Sequence, residues 1–185
     1  QSRLRGLFLM SLSNKFGEMV LTTGNKSELA VGYATIYGDM AGGYNPIKDL
    51  YKFEVVDLAS SDARIPENIW RKPPSAELAV DQTDEESLLP YALLDPIVMS
   101  YVEDYVTSFE RFRAWVATSD RQKITGNMQT LMAWLDRDGA VNDYERIVSL
   151  IGRMEYKRRQ TCPGTKVSKV AFGIGRRIPI VEKWS

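Results

Sequence analysis

Leu21-Thr22-Thr23-Gly24-Asn25-Lys26-Ser27-Glu28 decides the fold. The run Met19-Val20-Leu21-Thr22-Thr23 is short, apolar and β-branched, and turn residues flank it. That pattern predicts a buried strand, parallel to its neighbours. Gly24-Asn25 breaks it, and Ser27-Glu28 opens a helix expected over Leu29 to Tyr37. Strand, glycine turn and helix together give an α/β unit, whose ligands bind off the carboxyl ends of the strands. Helix N-termini at that place favour anions. A hydroxyl at Thr23 can bond a nucleotide, and Glu28 in the first turn can hold Mg²⁺ together with phosphates. The same residues also suit a plain strand-turn-helix. Asn25 or Ser27 would then be the cap and Glu28 would simply complement the helix dipole. Spacing alone leaves both open, and no G-x-x-x-x-G-K-[ST] loop is present.

Working outward, Leu4, Leu7, Phe8, Leu12 and Phe16 recur at helical spacing, so Arg3 to Phe16 reads as an amphipathic helix ended by Gly17. Tyr37 to Pro46 is too glycine-rich for regular structure, and Asp39 within it suits a ribose or an amide. Asp49 to Leu58 reads as helix, with Lys48 and Lys52 four apart. Such a pair is either solvated or relieved by a polyphosphate. Arg64 to Ala76 carries three prolines and reads as loop with one turn of helix. Pro73-Pro74 pre-orders the Ser75 hydroxyl beside them. Helices are expected over Pro90 to Tyr105, Ser108 to Ala117, Ile124 to Asp136 and Tyr144 to Arg158, followed by an irregular tail beyond Cys162-Pro163-Gly164. By segment, 1–80 holds the strand, helix and glycine loops, 81–160 is helical, and 161–185 is a basic tail.

The composition is that of a globular domain: 185 residues, 44% hydrophobic and 26% charged. Histidine is absent, which excludes Ser-His-Asp and Cys-His catalysis and His-ligated metals. Cys162 is the single cysteine, so no internal disulfide forms, and a reducing compartment fits. No apolar run approaches the roughly 20 residues of a membrane span. The 24 basic and 24 acidic residues balance but segregate. Pro73 to Glu110 has no Lys or Arg, whereas basic residues dominate from Arg153 onward. The chain as a whole is not basic, so nucleic acid is not an expected partner. It opens on Gln1 as if inside a helix, and reads as part of a longer protein.

Five segments in order carry a resemblance. They are Leu21-Thr22-Thr23-Gly24-Asn25-Lys26-Ser27-Glu28, Val31-Gly32-Tyr33, Tyr37-Gly38-Asp39-Met40-Ala41-Gly42-Gly43, Lys72-Pro73-Pro74-Ser75-Ala76-Glu77-Leu78 and Tyr156-Lys157-Arg158-Arg159-Gln160. Together they resemble NAD synthetase, and more closely the synthetase domain of the glutamine-hydrolysing form. The tail pieces Lys166-Val167-Ser168 and Arg176-Arg177-Ile178-Pro179-Ile180 point to that form. The resemblance spans nearly the whole chain and is diffuse from Thr107 to Asp143.

That family belongs to the ATP pyrophosphatases, so the resemblance implies the later part of an adenine-nucleotide α-hydrolase-like, Rossmann-like domain with a parallel sheet. It implies conversion of deamido-NAD to NAD. ATP adenylates the carboxylate, ammonia from a glutaminase domain displaces AMP, and Mg²⁺ assists. By position, Thr23, Lys52 and Ser75 would contact ATP. Glu28 would ligate Mg²⁺ or lie against deamido-NAD. Tyr33, Ala34, Thr35, Ile36, Asp39 and Lys157 would line the deamido-NAD site, with Arg158 solvated beside Lys157. A cytoplasmic homodimer is implied, using Leu4, Leu7, Phe8 and Tyr33 for an apolar contact. The family's Ser-Gly-Gly-x-Asp-Ser loop is not in this sequence, so the isolated chain is expected to bind ATP poorly and to make no NAD. A GMP synthetase-like amidating enzyme and a non-catalytic helical module are the alternatives.

Overall fold

A computed structural model describes residues 1–72, 88–118 and 128–180. The chain divides into two compact units, Gln1–Leu50 with Ser149–Ser185, and Tyr51–Val148.

The first unit begins with α1, Ser2–Phe16. Gly17 ends it in the left-handed conformation (φ 70°), its N–H donating to the Ser13 carbonyl. That is the stop its glycine predicts. The expected apolar stripe is there but is not covered: Leu4, Leu7, Phe8 and Phe16 are all exposed.

The strand expected at 19–23 is reduced to a single parallel bridge, Leu21 with Tyr44. Gly43 N–H donates to Val20 O and Thr22 N–H to Tyr44 O, both at 2.9 Å. Asn45 continues the pattern by a parallel bridge to Gly164. The parallel direction is as read, but Met19 and Leu21 are exposed, which corrects the expectation of a buried strand. Lanes of two or three residues cover too little of a strand to bury both its faces.

α2 spans Lys26–Val31, shorter than the helix expected to reach Tyr37. Its start is a capping box. Asn25 Oδ1 accepts from Glu28 N–H at 2.9 Å, and Glu28 Oε2 accepts from Asn25 N–H at 3.0 Å. Gly32 stops it at φ 70°, donating to Glu28 O. A Cβ at residue 32 would run into the Met154 side chain. Tyr33 to Tyr37 therefore form turns.

The second unit opens with α3, Lys52–Ser61, not with Asp49. Glu54 Oε2 accepts the Tyr51 N–H at 2.8 Å and sets the start there. α4, Glu67–Arg71, is the single helical turn expected among the prolines. α5, Tyr91–Asp104, buries Leu94, Ile97, Val98 and Val102 completely. α6, Phe109–Val116, is capped by Ser108, and α7 spans Met128–Leu135. The earlier residues of the helix expected from Ile124 lie outside the described residues. α8, Ala140–Arg153, starts earlier than the expected Tyr144. Phe112, fully buried, stands 5.2 Å from Tyr144 and 6.3 Å from Trp134, ring centre to ring centre, and forms the aromatic heart of this unit. Back in the first unit, α9, Glu155–Arg158, precedes two very short parallel strands, β1 Ala171–Phe172 and β2 Gly175–Arg176.

Candidate functional site

The sequence-derived site residues of the first unit gather at the two ends of α2. At its start, Thr23 is exposed just past the carboxyl end of the 20–22 lane, where α/β ligands bind. The helix N-terminus itself is not open to an anion: Lys26 N–H donates to Leu50 O at 2.8 Å, and Glu28 N–H to Asn25. Of the two readings that spacing left open, the structure shows the capped one, with Asn25 as the cap. Glu28 is half-buried with its carboxylate oriented by Asn25.

At the other end of α2, the far end of the chain returns. Lys157 Nζ donates to Gly32 O at 2.8 Å and to Ala34 O at 3.0 Å. The structure thus brings Lys157 together with Tyr33, Ala34, Thr35 and Ile36, all half-buried. Asp39 closes the same loop. Its Oδ1 accepts from Thr35 N–H at 2.7 Å and from Ser2 Oγ at 3.2 Å, and its own N–H donates to Ser2 Oγ. Arg3 Nε donates to Ile36 O at 3.1 Å. Gly6 allows this close seating: a Cβ there would lie 2.9 Å from the carbonyl oxygens of Tyr37 and Gly38. A cavity of about 620 Å³ opens here, lined by Arg3, Leu7, Ile36, Tyr37 and residues 159–162. That is room for a small organic ligand.

Lys52 lies in the second unit, with its ammonium 5.6 Å from the Tyr91 ring centre. Lys48 does not share a helix with it. In the first unit Lys48 donates to Cys162 O at 2.7 Å, and burial holds its pKa below the usual lysine range despite the nearby Cys162. Ser75 with the Pro-Pro run from Pro73 onward, and the acidic stretch as far as residue 87, lie outside the described residues. Among the described residues, no three acidic or cysteine side chains converge as a metal cluster would.

Sequence reasoning missed two buried cations. Lys26 is fully buried against Asp49, with a nitrogen–oxygen distance of 3.1 Å. Arg158, expected to be solvated, is only 7% exposed. Its guanidinium donates to Leu29 O and Ala30 O, pairs with Glu155 at 2.9 Å and lies 4.5 Å from the Phe172 ring centre. The carbonyls at the end of α2 need donors, and arginine supplies several at once. The local pattern showed only a basic run at a helix end. The Leu29 and Ala30 carbonyls lie 129 and 128 residues from Arg158 along the chain, and Lys26 bonds Ser168 and Val170 at separations of 142 and 144, so no local signal could have found these partners.

The sequence pattern of NAD synthase matches residues 1–131. The chain belongs to the NAD synthase family. The glutamine-dependent NAD(+) synthetase of Xanthomonas campestris pv. campestris is 46% identical over 191 residues, which cover 100% of this chain and 30% of that protein. The chain thus spans about 30% of the length of the curated NAD synthases it matches. The crystal structure of a glutamine-dependent NAD(+) synthetase from Cytophaga hutchinsonii shares the fold, with a TM-score of 0.67 at 20% identity, over 98% of this chain and 27% of that one. The structure of NMN synthetase from Francisella tularensis has a TM-score of 0.51 at 28% identity, over 69% of this chain and 51% of that one. The expected Rossmann-like class is therefore met by a partial NAD synthase domain, largely helical here with a small parallel sheet. The family match favours NAD synthase over the GMP synthetase-like and non-catalytic alternatives.

Proposed function

We propose that this chain forms the later part of the substrate site of a glutamine-dependent NAD synthetase, which amidates deamido-NAD to NAD at the expense of ATP. The observation that carries the reading is the return of Lys157 to the Gly32–Ala34 carbonyls, which joins two distant family motifs at one end of α2. A nicotinate carboxylate oxygen attacks the α-phosphorus of ATP, and the P–O bond to pyrophosphate breaks with its electrons leaving on pyrophosphate. Ammonia from a glutaminase domain then attacks the acyl carbon. AMP leaves, the nitrogen sheds a proton, and the amide remains. None of these steps calls for histidine; the protein orients the reactants and neutralises charge.

Thr23, with Lys52 and Ser75, contacts ATP in this reading. Tyr33 to Ile36, Asp39 and Lys157 hold deamido-NAD. Glu28 fits a magnesium role, because Mg²⁺ is usually held by one or two carboxylates plus substrate phosphates rather than by a full protein cage. Its carboxylate is already oriented by Asn25. Mg²⁺, when bound, would offset the negative charge that builds on the departing pyrophosphate.

The protein is read as cytoplasmic, and as a homodimer joined through the exposed Leu4, Leu7 and Phe8 of α1 with Tyr33. A stable dimer needs an interface above roughly 1,000 Å². Light scattering of the full-length protein at micromolar concentration should give twice the monomer mass, and a monomer rejects the dimer. For the activity, the full-length protein should form NAD from deamido-NAD, ATP and glutamine, releasing AMP and pyrophosphate. Formation of NMN instead, or no amidation at all, overturns the reading. The 185 residues alone should show no turnover.

A further inference from the structure

The geometry points to Lys26 as a positioning residue for the nucleotide-binding turn, acting through a buried network that ties this turn to the tail at Val167 to Val170. Lys26 is wholly inaccessible to solvent. Its ammonium pairs with Asp49 and donates to Ser168 Oγ at 2.9 Å and to Val170 O at 2.7 Å. Asp49 in turn accepts the Val167 N–H at 2.9 Å and the Ser168 N–H at 2.8 Å, and lies within 2.9 Å of the Ser168 hydroxyl. A charge held so deeply by protein groups is not a phosphate ligand. Its effect passes through the backbone it anchors.

That backbone carries Thr23 and Glu28. Gly24 O accepts from Asn45 Nδ2 at 2.8 Å, and Lys26 N–H donates to Leu50 O. The turn is therefore braced on one side by residues 45–50 and on the other by residues 167–170. A hydrophobic core at this spot would hold the fold as well or better, because a buried ion pair contributes little net stability over apolar packing. What the ion pair adds is geometry: it is satisfied only when the tail is docked with Ser168 in place. Docking of the tail thus sets the shape of the ATP-contacting turn. The inference rests on the reading of Thr23 as an ATP contact.

The test uses the full-length protein with Ser168→Ala, which deletes the bridging hydroxyl, and Ser168→Thr, which keeps it. Readouts are equilibrium ATP affinity by calorimetry, KM for ATP and for deamido-NAD, and the thermal midpoint. Ser168→Ala should weaken ATP binding and raise its KM about tenfold, the scale of one charge-assisted hydrogen bond. The KM for deamido-NAD should stay within about twofold, because that ligand is served from the other end of α2. Ser168→Thr should restore ATP affinity. Unchanged ATP affinity in a folded Ser168→Ala protein, or equal losses for both ligands, overturns the proposal. A wild-type protein that binds ATP but makes no NAD sinks only the functional reading, and the ATP titration of the Ser168 variants still decides this one. A wild-type protein that does not bind ATP overturns both.

Discussion

Arg158 and Glu155 form a buried ion pair, Nε to Oε2 at 2.9 Å, directly under the end of α2. The guanidinium also serves the Leu29, Ala30 and Ile151 carbonyls, so one side chain caps α2 and joins it to the end of α8. Arg158→Met would leave those carbonyls without their donor, although Glu155 keeps Arg159 at 2.5 Å. A loss of about 2–3 kcal/mol in urea unfolding is expected. A change below about 0.5 kcal/mol, the range of ordinary surface substitutions, would mean that the buried contacts are dispensable.

Glu28→Gln separates two roles of one carboxylate. Glutamine can still accept the Asn25 N–H through its amide oxygen, so the capping box survives. Stability should therefore change by less than about 1 kcal/mol. The charge is gone, and turnover of the full-length enzyme should fall on the order of a hundredfold, with a changed Mg²⁺ dependence. Wild-type kinetics would reduce Glu28 to a helix-start residue.

Asp49 makes a prediction about acid. Burial works against its carboxylate, but the hydrogen bonds from Ser168, the charge of Lys26 and the Val167 N–H outweigh it and hold the pKa below the ordinary value. A depressed carboxylate stabilises the fold above its unfolded pKa of about 3.9, and loses that contribution as pH falls through the folded value. Asp49→Asn should thus be clearly less stable than wild type near pH 7, by about 3 kcal/mol, because it leaves Lys26 buried without its counter-ion. The gap should narrow as pH drops below about 4. A gap that is independent of pH would place the effect in packing rather than charge.

Much of the fold was legible where a stop or start is local. Gly17 ends α1 and Ser108 caps α6, each by its own chemistry. The end of α2 was not. Gly32 stops it in the same left-handed conformation as Gly17, but unlike Gly17 it sits within the stretch 29–37 read as one helix, and its role is reinforced from afar by Met154 packed against it and by Lys157 on the carbonyls beyond. The start of α3 was misplaced for a similar reason: Asp49, a natural helix opener, is taken up by Lys26 and the tail. Among the site residues, the motifs located the ends of α2. They could not show that Lys26 turns inward, because its partners at 168 and 170 are adjacent only in the folded chain.

Lys157 carries the sharpest test of the dinucleotide site. Deamido-NAD differs from NAD by a free nicotinate carboxylate, so a site that selects the acid should place a cation near it. Lys157 stands in the last turn of α9, and its ammonium already bridges the carbonyls of Gly32 and Ala34 in the loop read as the deamido-NAD contact. It could act directly on the carboxylate or by shaping the loop, and the two differ in what they do to the product. A charge-assisted contact is worth about 1.5–3 kcal/mol, so Lys157→Met in the full-length enzyme should weaken deamido-NAD about tenfold to a hundredfold. If the cation meets the carboxylate, NAD, which lacks that charge, should lose much less. ATP should change little, because Thr23 lies at the other end of α2. Titrating the three ligands against the variant decides the matter. An unchanged deamido-NAD affinity, or an equal loss for ATP, rejects the assignment, and equal losses for deamido-NAD and NAD would show that Lys157 works through the loop alone.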